Sequence, residues 1–185
     1  SFTTGLLKAV YNYDRKIISQ KELADLACDV EINKLYKPIG IQDQYISSFG
    51  GISKIEIDTT GSVEITPVRI TETTLQDLED NLLLFFTGFS RSADGILADQ
   101  KEKSLKDDTK MITNLHSIKL IGMKSLKALE EGSLKKFATL MNEHWEIKRG
   151  RSEGMTNYRI DEICEVGIKN GAIGAKLVGA GAGGF

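Results

Sequence analysis

The sequence has few of the residues that mark several common classes of protein. It contains two cysteines and two histidines in 185 residues, too few for a Cys/His zinc cluster. Cys28 and Cys164 are far apart and both lie in helical patterns, which favours reduced core thiols over a disulfide. No apolar run approaches the roughly 18 residues that cross a bilayer, and no secretory signal pattern opens the chain. We therefore predict a cytoplasmic protein with no membrane partner.

An excess of charge of one sign is also lacking. Lys and Arg number 24 against 26 for Asp and Glu, and the formal net charge is −2. This balance gives no reason to expect nucleic acid or an anionic membrane as a partner. The apolar content of 41% is enough for an ordinary core in one domain, or in one domain and part of another. We therefore expect a globular protein whose partners are small molecules.

The hydrophobic pattern changes along the chain from mixed to mainly helical. Alternation between Ile52 and Val68 predicts a β-hairpin, and the apolar run Leu82 to Gly88 is typical of a buried strand. Apolar residues recur at helical spacing in most of the remaining chain, and Ser19 with Glu22 forms a capping box at one helix start. The predicted helices cover about residues 1–10, 20–36, 93–108, 109–131, 134–145 and 160–168. The pattern predicts an α+β protein with a boundary between two lobes near residue 72.

The stretch from Gly40 to Gly51 combines a carboxylate with amides and glycine turns. Asp43 lies between Gln42 and Gln44, shortly after a predicted helix that carries Glu31. Paired carboxylates divide labour well, since one holds a divalent cation while the other takes a proton or orients a nucleophile. The simpler alternatives are two solvated surface groups, or Asp43 as an N-terminal helix cap.

Glycine is concentrated at the end of the sequence. Seven of the 18 glycines lie between Gly167 and Gly184. Consecutive small residues can turn peptide N–H groups towards phosphate oxygens, although tight packing against a neighbouring helix requires glycine as well. The stretch is no dinucleotide fingerprint, because the strand-to-helix order and the later acidic residue are missing.

Several of these segments together resemble the sugar kinases of the GHMP superfamily. The run Gly40 to Gly51, with Glu31 ahead of Asp43, resembles their catalytic region, and Gly171 to Gly181 resembles their third motif. Three further segments resemble the heptose phosphate kinase subgroup: Thr87–Arg91, Met141–Trp145 and Gly154–Asn157. The resemblance covers the whole sequence in the family's order.

The resemblance implies a fold and an activity. It implies a GHMP kinase fold, with residues 1–71 as part of the ribosomal-S5-like N-terminal (ATP-binding) lobe and 72–185 as an incomplete ferredoxin-like C-terminal lobe. The implied enzyme is an ATP-dependent sugar kinase with ATP and Mg²⁺ as cofactors. Its implied acceptor is the anomeric hydroxyl of D-glycero-D-manno-heptose 7-phosphate.

The resemblance also implies roles for particular residues. Asp43 would be the catalytic base or hydroxyl-orienting residue, and Glu31 would ligate Mg²⁺. The residues implied in binding phosphate or substrate are Gln42, Arg91, Gly179, Ala180, Gly181 and Gly183. A structural Arg91 is an equal alternative, Lys176 is expected to face solvent, and His144 and Trp145 are expected to pack and orient.

The sequence departs from the family's pattern at both ends. Family members carry a Gly- and Ser-rich ATP loop before a helix like Ser1–Val10, and they continue beyond Phe185. We therefore expect the isolated chain to be inactive and its exposed apolar surface to favour self-association. Two alternatives stay open: a non-catalytic module that binds sugar phosphates, and a different GHMP sugar kinase of the fucokinase or galactokinase kind.

Overall fold

A computed structural model describes residues 2–88, 94–106, 108–151, 154–179, 181 and 183–185. The chain divides into two compact units, Ser1–Val68 and Arg69–Phe185. Their helices are α1 (Phe2–Tyr13), α2 (Gln20–Cys28), α3 (Gln42–Phe49), α4 (Glu72–Asn81), α5 (Asp94–Leu105), α6 (Thr109–Glu130), α7 (Leu134–Arg149) and α8 (Tyr158–Lys169). Strands β1 (Ser53–Ile57) and β2 (Val63–Pro67) form an antiparallel pair. Within the described residues no helix is long and apolar enough to span a membrane.

In the first unit, α3 packs on α2 through a buried tyrosine. Tyr45 is 3% exposed, and its hydroxyl donates to the Asp25 carboxylate on α2. The ammonium of Lys21 lies 3.0 Å from the same carboxylate and 5.9 Å from the centre of the Tyr45 ring. The predicted capping box at Ser19 and Glu22 starts α2. These contacts fix α3, and with it Asp43, on a helix whose start is strongly specified.

The end of α2 differs from the regular helix that the sequence predicts as far as Tyr36. The α-helix ends at Cys28 and continues as a π-helical segment, Asp29–Lys34. Its wider turns are closed by the Leu35 N–H, which donates to the Val30 carbonyl at 3.0 Å. Glu31 lies in this segment, and π-helical turns occur often at functional sites.

Two glycines redirect the chain from α3 into the hairpin. Gly50 and Gly51 both have positive φ angles, 72° and 65°, which residues with a Cβ rarely adopt. The predicted hairpin is confirmed, with Ile55 opposite Ile65 in the register. Its turn is held by Asp58, whose carboxylate accepts from backbone N–H groups within the turn.

The second unit is built around the antiparallel helices α6 and α7. They meet through a short turn in which Gly132 has φ 67°, and their shared cluster contains Ile121, Ala128 and Leu140. A second cluster joins α7 and α8 to the C-terminal segment through Trp145, Met155, Ile160 and Leu177. The predicted stripe on α7 is core at Leu140 and Trp145, as expected. On α6 the prediction is only partly right, because Leu129 of its predicted stripe is buried but Leu115 is exposed, and Ile121 and Ala128 form the buried face instead.

A glycine, Gly171, caps α8, and α4 lies where the sequence pattern predicted no helix. Gly171 has φ 105°, its N–H donates to the Ile168 carbonyl, and the next N–H donates to the Gly167 carbonyl, as in a Schellman motif. Helix α4 begins at Thr71, whose hydroxyl accepts from the Thr74 N–H. Its apolar stripe is short, and only one of its residues is buried.

The prediction of a buried strand at Leu82–Gly88 is wrong. The segment forms no strand in the structure, and its five large side chains are 50–78% exposed. Only Thr87 is buried, and its N–H and hydroxyl both donate to the Gly184 carbonyl at 2.8 Å. An apolar run indicates that burial of the segment is favourable, but it does not show that another strand lies beside the segment to pair with it.

Candidate active site

Asp43 lies in the first turn of α3, where the helix dipole favours a carboxylate. Its side chain is exposed, and within the described residues no donor bonds to its carboxylate. The N-terminal cap position belongs to Ile41, which provides no side-chain cap, so Asp43 is not the capping residue. Its carboxylate is therefore available to another molecule. Gln42 precedes it on the same exposed turn.

Glu31 is tied to the same helix through Gln44. The Gln44 side chain is 1% exposed, and its Nε2 donates to Glu31 Oε2 at 2.8 Å. Gln44 is the residue after Asp43, so one hydrogen bond links the carboxylate of the π-helical segment to the helix that carries the second carboxylate. Of the two amides that flank Asp43, Gln44 is thus the one that orients a carboxylate.

The oxygen of the Gln44 amide is buried and has no hydrogen-bond partner among the described residues. Leaving Oε1 unpaired is costly, because a polar atom out of contact with water loses its hydrogen bonds to water. Reversing the amide would place this oxygen against the Glu31 carboxylate, so the orientation that donates to Glu31 is the favourable one. Carboxylate and amide oxygens are the ligands that Mg²⁺ accepts, together with phosphate oxygens of a substrate. The donor set at Glu31 therefore fits Mg²⁺.

The described residues contain no ready-made metal cage. No group of three His, Cys, Asp or Glu side chains gathers in the part of the chain that the structure describes. An open groove of about 260 Å³ in the first unit is lined by residues that include Asp25, Cys28 and Tyr45, but by neither Asp43 nor Glu31. Burial raises the pKa of the Cys28 thiol to about 11, so this cysteine is protonated at neutral pH.

In the second unit, Asn142 on α7 holds the C-terminal segment by its backbone. Its Nδ2 donates to the Ile173 carbonyl and its Oδ1 accepts from the Ala175 N–H, each at 2.8 Å. Gly174 lies between these two contacts. A Cβ there would come within 2.0 Å of the Ala138 carbonyl oxygen, so only glycine allows the segment to approach α7 this closely.

The glycines of the tail fall into two environments. A Cβ on Gly181 would meet the Met155 sulfur at 2.2 Å, so this position has the tight packing that we considered as an alternative. A Cβ on Gly179 would meet nothing within 4 Å, and its φ of 80° gives the backbone a turn at an open position. Towards its end the tail also makes contacts through the carbonyl groups of Gly179 and Gly184, which accept hydrogen bonds, and through the Val178 N–H, which donates to the Phe185 carbonyl.

We expected Lys176 to face solvent, but the structure shows otherwise. It lies outside any strand and is partly buried, with its Nζ 2.9 Å from Nδ1 of His144 on α7. One turn further along α7, the Lys148 ammonium donates to the Gly179 carbonyl and lies 3.5 Å from the Leu177 carbonyl. Two ammonium groups and an imidazole therefore meet beside the glycine-rich tail.

Arg151 completes this group from the end of α7. Its Nε donates to Asn114 Oδ1 at 3.0 Å, while the Asn114 Nδ2 donates to the Ile147 carbonyl. A second guanidinium nitrogen lies 3.4 Å from Gln100 Oε1. Both acceptors are neutral amides. A small cavity of about 90 Å³ beside Arg151 is lined by Asn114 and by three charged residues, Lys103, Asp108 and Lys110.

The electrostatics of this basic cluster, defined as His144, Lys148, Arg151 and Lys176, are unusual. In the described part of the chain none of its cations pairs with a carboxylate. Burial, then the charges of the other three members, lowers the pKa of His144 to about 4. Burial, then Lys176 and Arg151, lowers the pKa of Lys148 to about 8. Burial also lowers the pKa values of Lys176 and Arg151.

The remaining site predictions have different outcomes. Arg91 and Ala180 lie outside the described residues, and the assignments of Gly179, Gly181 and Gly183 to phosphate binding stay predictions. Sequence reasoning missed Lys148 and Arg151. A signal was present, because His144, Lys148 and Arg151 are spaced four and three residues apart at the end of an amphipathic helix.

Comparison with known proteins places these features in a family. Residues 125–185 match the GHMP kinases C-terminal family. The chain is 31% identical over all 185 residues to a D-glycero-alpha-D-manno-heptose 7-phosphate kinase of Campylobacter jejuni, and covers 54% of it. It is 28% identical over 149 residues, 79% of the chain, to an L-fucokinase/L-fucose-1-P guanylyltransferase of Bacteroides fragilis, and covers 16% of that protein.

A solved structure gives the same family. The crystal structure of a D-glycero-D-manno-heptose 1-phosphate kinase of Bacteroides thetaiotaomicron superposes with a TM-score of 0.70 and 25% identity. The match covers 96% of this chain and 48% of that one, so the chain spans about half the length of these heptose kinases. Its fold class, α+β with the GHMP kinase fold, is as predicted. The family match identifies residues 125–185 as a GHMP kinase C-terminal domain, and the sequence match and shared fold show that the whole chain is similar to GHMP sugar kinases.

Proposed function

We propose that the protein phosphorylates a sugar phosphate with ATP, at the anomeric hydroxyl of D-glycero-D-manno-heptose 7-phosphate. The observation that carries this proposal is the 31% identity to a heptose 7-phosphate kinase, which extends over every residue of the chain. It is supported by the exposed carboxylate of Asp43, which has no hydrogen-bond partner among the described residues and lies on a helix that also orients Glu31. The products would be the heptose 1,7-bisphosphate and ADP.

In this proposal Asp43 receives or orients the proton of the acceptor hydroxyl. The hydroxyl oxygen bonds to the γ-phosphorus of ATP as the bond to the β,γ-bridging oxygen breaks, and the proton leaves through Asp43. Such a transfer needs little covalent help from the protein, so its main contributions are position and charge. Asp43 suits this role because α3 is fixed by the buried Tyr45 while the carboxylate itself stays exposed.

Glu31 is the residue proposed to hold Mg²⁺. The metal would neutralise charge that develops on the phosphate oxygens. Gln44 holds one Glu31 oxygen by its Nε2 hydrogen bond and leaves the other carboxylate oxygen for a ligand. Mg²⁺ is usually held by one or two carboxylates with substrate phosphates, so a single protein carboxylate here is sufficient.

The C-terminal tail is proposed to lie at the phosphate end of the site. Gly179 offers open backbone with a positive φ, as peptide groups that surround an anion often do. Gly181, Gly183, Ala180 and Arg91 are included in this proposal on their resemblance to the family's motifs. Gln42, exposed beside Asp43, is the proposed contact to the sugar.

A fucokinase activity is the second candidate, because the bifunctional fucokinase of Bacteroides fragilis matches 79% of this chain. The two candidates differ in the acceptor. Phosphorus NMR of the complete gene product with ATP, Mg²⁺ and either heptose 7-phosphate or L-fucose separates them. We expect a new anomeric phosphate signal with heptose 7-phosphate. Turnover of L-fucose alone would replace the heptose proposal, and turnover of neither sugar would contradict both.

A further inference from the structure

In the described part of the chain, no cation of the basic cluster forms an ion pair with a carboxylate, although the cluster is partly removed from water. Its three cations and an imidazole come from α7, the chain just after it and the C-terminal segment. The carboxylate of Asp108 lines the small cavity beside Arg151 but makes no ion pair with it. Like charges repel strongly in such surroundings, and their assembly costs free energy unless an anion is bound. Groups perturbed in this way gather at functional sites more often than elsewhere.

The positions of the cluster's members are fixed by contacts outside the cluster. Asn142 brackets the backbone next to Lys176, and Asn114 holds Arg151 by its Nε. Trp145, 3% exposed, anchors the turn of α7 between His144 and Lys148. The basic groups are therefore positioned in advance, as binding groups need to be.

The neighbouring arginine on α7 provides an internal comparison. Arg149 contacts Glu146 at 2.8 Å and Asp161 at 3.5 Å, so this basic residue is paired with carboxylates in the usual way. Arg151, two residues later, contacts only neutral amides in the described part of the chain. Carboxylates are thus present on α7 and α8, yet in the described part of the chain they pair with Arg149 and not with the cluster.

We infer that His144, Lys148, Arg151 and Lys176 form a binding site for a phosphoryl group that carries two negative charges. Lys148 and Lys176 act as charged donors, Arg151 has guanidinium N–H groups left after its two amide contacts, and His144 donates from the ring nitrogen that Lys176 does not contact. Lys148 also contacts the Gly179 carbonyl, so the site borders the glycine-rich tail. We assign the 7-phosphate of the acceptor as the ligand, and this assignment rests on the proposed function. A phosphate group of ATP is the other ligand with the same charge and the same hydrogen-bond acceptors.

The test compares single Lys→Gln variants of the complete gene product. Lys148→Gln and Lys176→Gln remove a charge from the cluster, and Lys119→Gln removes one from an exposed position on α6 in the same unit. Calorimetry gives the Kd for heptose 7-phosphate, for unphosphorylated heptose and for ATP. We expect each cluster variant to weaken binding of heptose 7-phosphate by about tenfold or more, since hydrogen bonds to charged groups are among the strongest. Lys119→Gln should change it by less than about twofold.

The outcomes separate the site from the proposed function. Weaker binding of ATP, with heptose 7-phosphate unaffected, keeps the site and assigns it to the phosphate donor. If heptose 7-phosphate fails to bind the unaltered protein, inorganic phosphate serves as probe, read from the imidazole NMR signal of His144 with and without Lys176→Gln. A signal that moves only when Lys176 is present keeps the site while the proposed acceptor fails. Unchanged affinities for all phosphate-bearing probes in folded cluster variants would overturn the inference.

A purely structural role makes a different prediction. Lys148 also holds the tail through carbonyl groups, so its loss lowers stability whether or not an anion binds. This is resolved by thermal unfolding of each variant without the phosphate ligand and with the ligand at ten times the Kd of the unaltered protein. At that concentration the ligand raises the free energy of unfolding of the unaltered protein by about 1.4 kcal/mol. We expect that gain in the unaltered protein and its reduction in the cluster variants. Equal gains in all variants would also overturn the site.

Discussion

The unusual environment of His144 predicts a specific dependence of stability on pH. Burial and three neighbouring cations lower the pKa of its imidazole from 6.5 to about 4 in the folded chain. The unfolded chain therefore binds this proton first as the pH falls. Protonation stabilises the unfolded state, so the free energy of unfolding falls as the pH is lowered from 6.5 to about 4. The full loss is reached below the pKa of the folded chain.

The magnitude follows from the size of the shift. The difference between a pKa of 6.5 and a pKa of about 4 corresponds to about 3.4 kcal/mol of free energy. Because His144 is only partly buried, solvent screening reduces this, and we expect a loss of about 1 kcal/mol between pH 7.5 and pH 5.0. Replacement by glutamine, which does not titrate, removes this loss. The His144→Gln variant should therefore gain about 1 kcal/mol relative to the unaltered chain at the lower pH.

The assay is urea unfolding of both chains at pH 7.5 and pH 5.0. The substitution can alter stability at either pH, so only the change in the difference between the two chains counts. Lys176→Gln is the second arm: it removes one of the repelling charges, so the pH-dependent loss should shrink but not vanish. A difference between His144→Gln and the unaltered chain that is the same at both pH values would refute the electrostatic account of the cluster.

The remaining predictions concern single contacts. Ser19→Ala should lower the free energy of unfolding by about 1 kcal/mol in urea, since it removes the capping box of α2; no loss would contradict the cap. Gly174→Ala should destabilise by more than about 3 kcal/mol, because its Cβ would overlap a carbonyl of α7, whereas Gly122→Ala in the open interior of α6 should stabilise by up to about 1 kcal/mol. If Gly174→Ala and Gly122→Ala changed thermal unfolding equally, the close approach of Gly174 to α7 would be contradicted. Gln44→Leu should raise the Mg²⁺ concentration for half-maximal activity about tenfold by freeing Glu31; an unchanged Mg²⁺ dependence would show that this hydrogen bond is not needed.

Features specified by neighbouring residues were predictable from the sequence. The capping box at Ser19, the β-hairpin and the glycine cap at Gly171 depend on interactions within a few positions, and each is present. The apolar stripe of α7 was predictable for the same reason, because a helical period places its residues on one face.

Features that depend on distant partners were not predictable in the same way. Leu82–Gly88 has the composition of a buried strand, but strand formation needs a neighbour, and the described structure leaves its large side chains exposed. In the π-helical end of α2 the Leu35 and Lys37 N–H groups donate to carbonyls five and six residues earlier, a spacing that no sequence pattern predicted.

The site shows the same division. The hydrogen bond from Gln44 to Glu31 spans 13 positions, and the contact between Lys176 and His144 spans 32. From the sequence alone, a lysine in a glycine-rich tail is expected to be exposed to solvent. Three members of the cluster are close together in the sequence, but Lys176 joins them only because the fold places the tail beside α7.

The central proposal is that Asp43 takes part directly in phosphoryl transfer. Its most direct test is Asp43→Asn in the complete gene product, with the exposed Asp80→Asn as matched control, measured for kcat with ATP and heptose 7-phosphate and for binding of the sugar phosphate. We predict that Asp43→Asn lowers kcat by about 10²–10⁴-fold while the Kd for the sugar phosphate changes less than about threefold, and that Asp80→Asn leaves both unchanged. A kcat for Asp43→Asn within a few-fold of the unaltered protein would contradict the proposal.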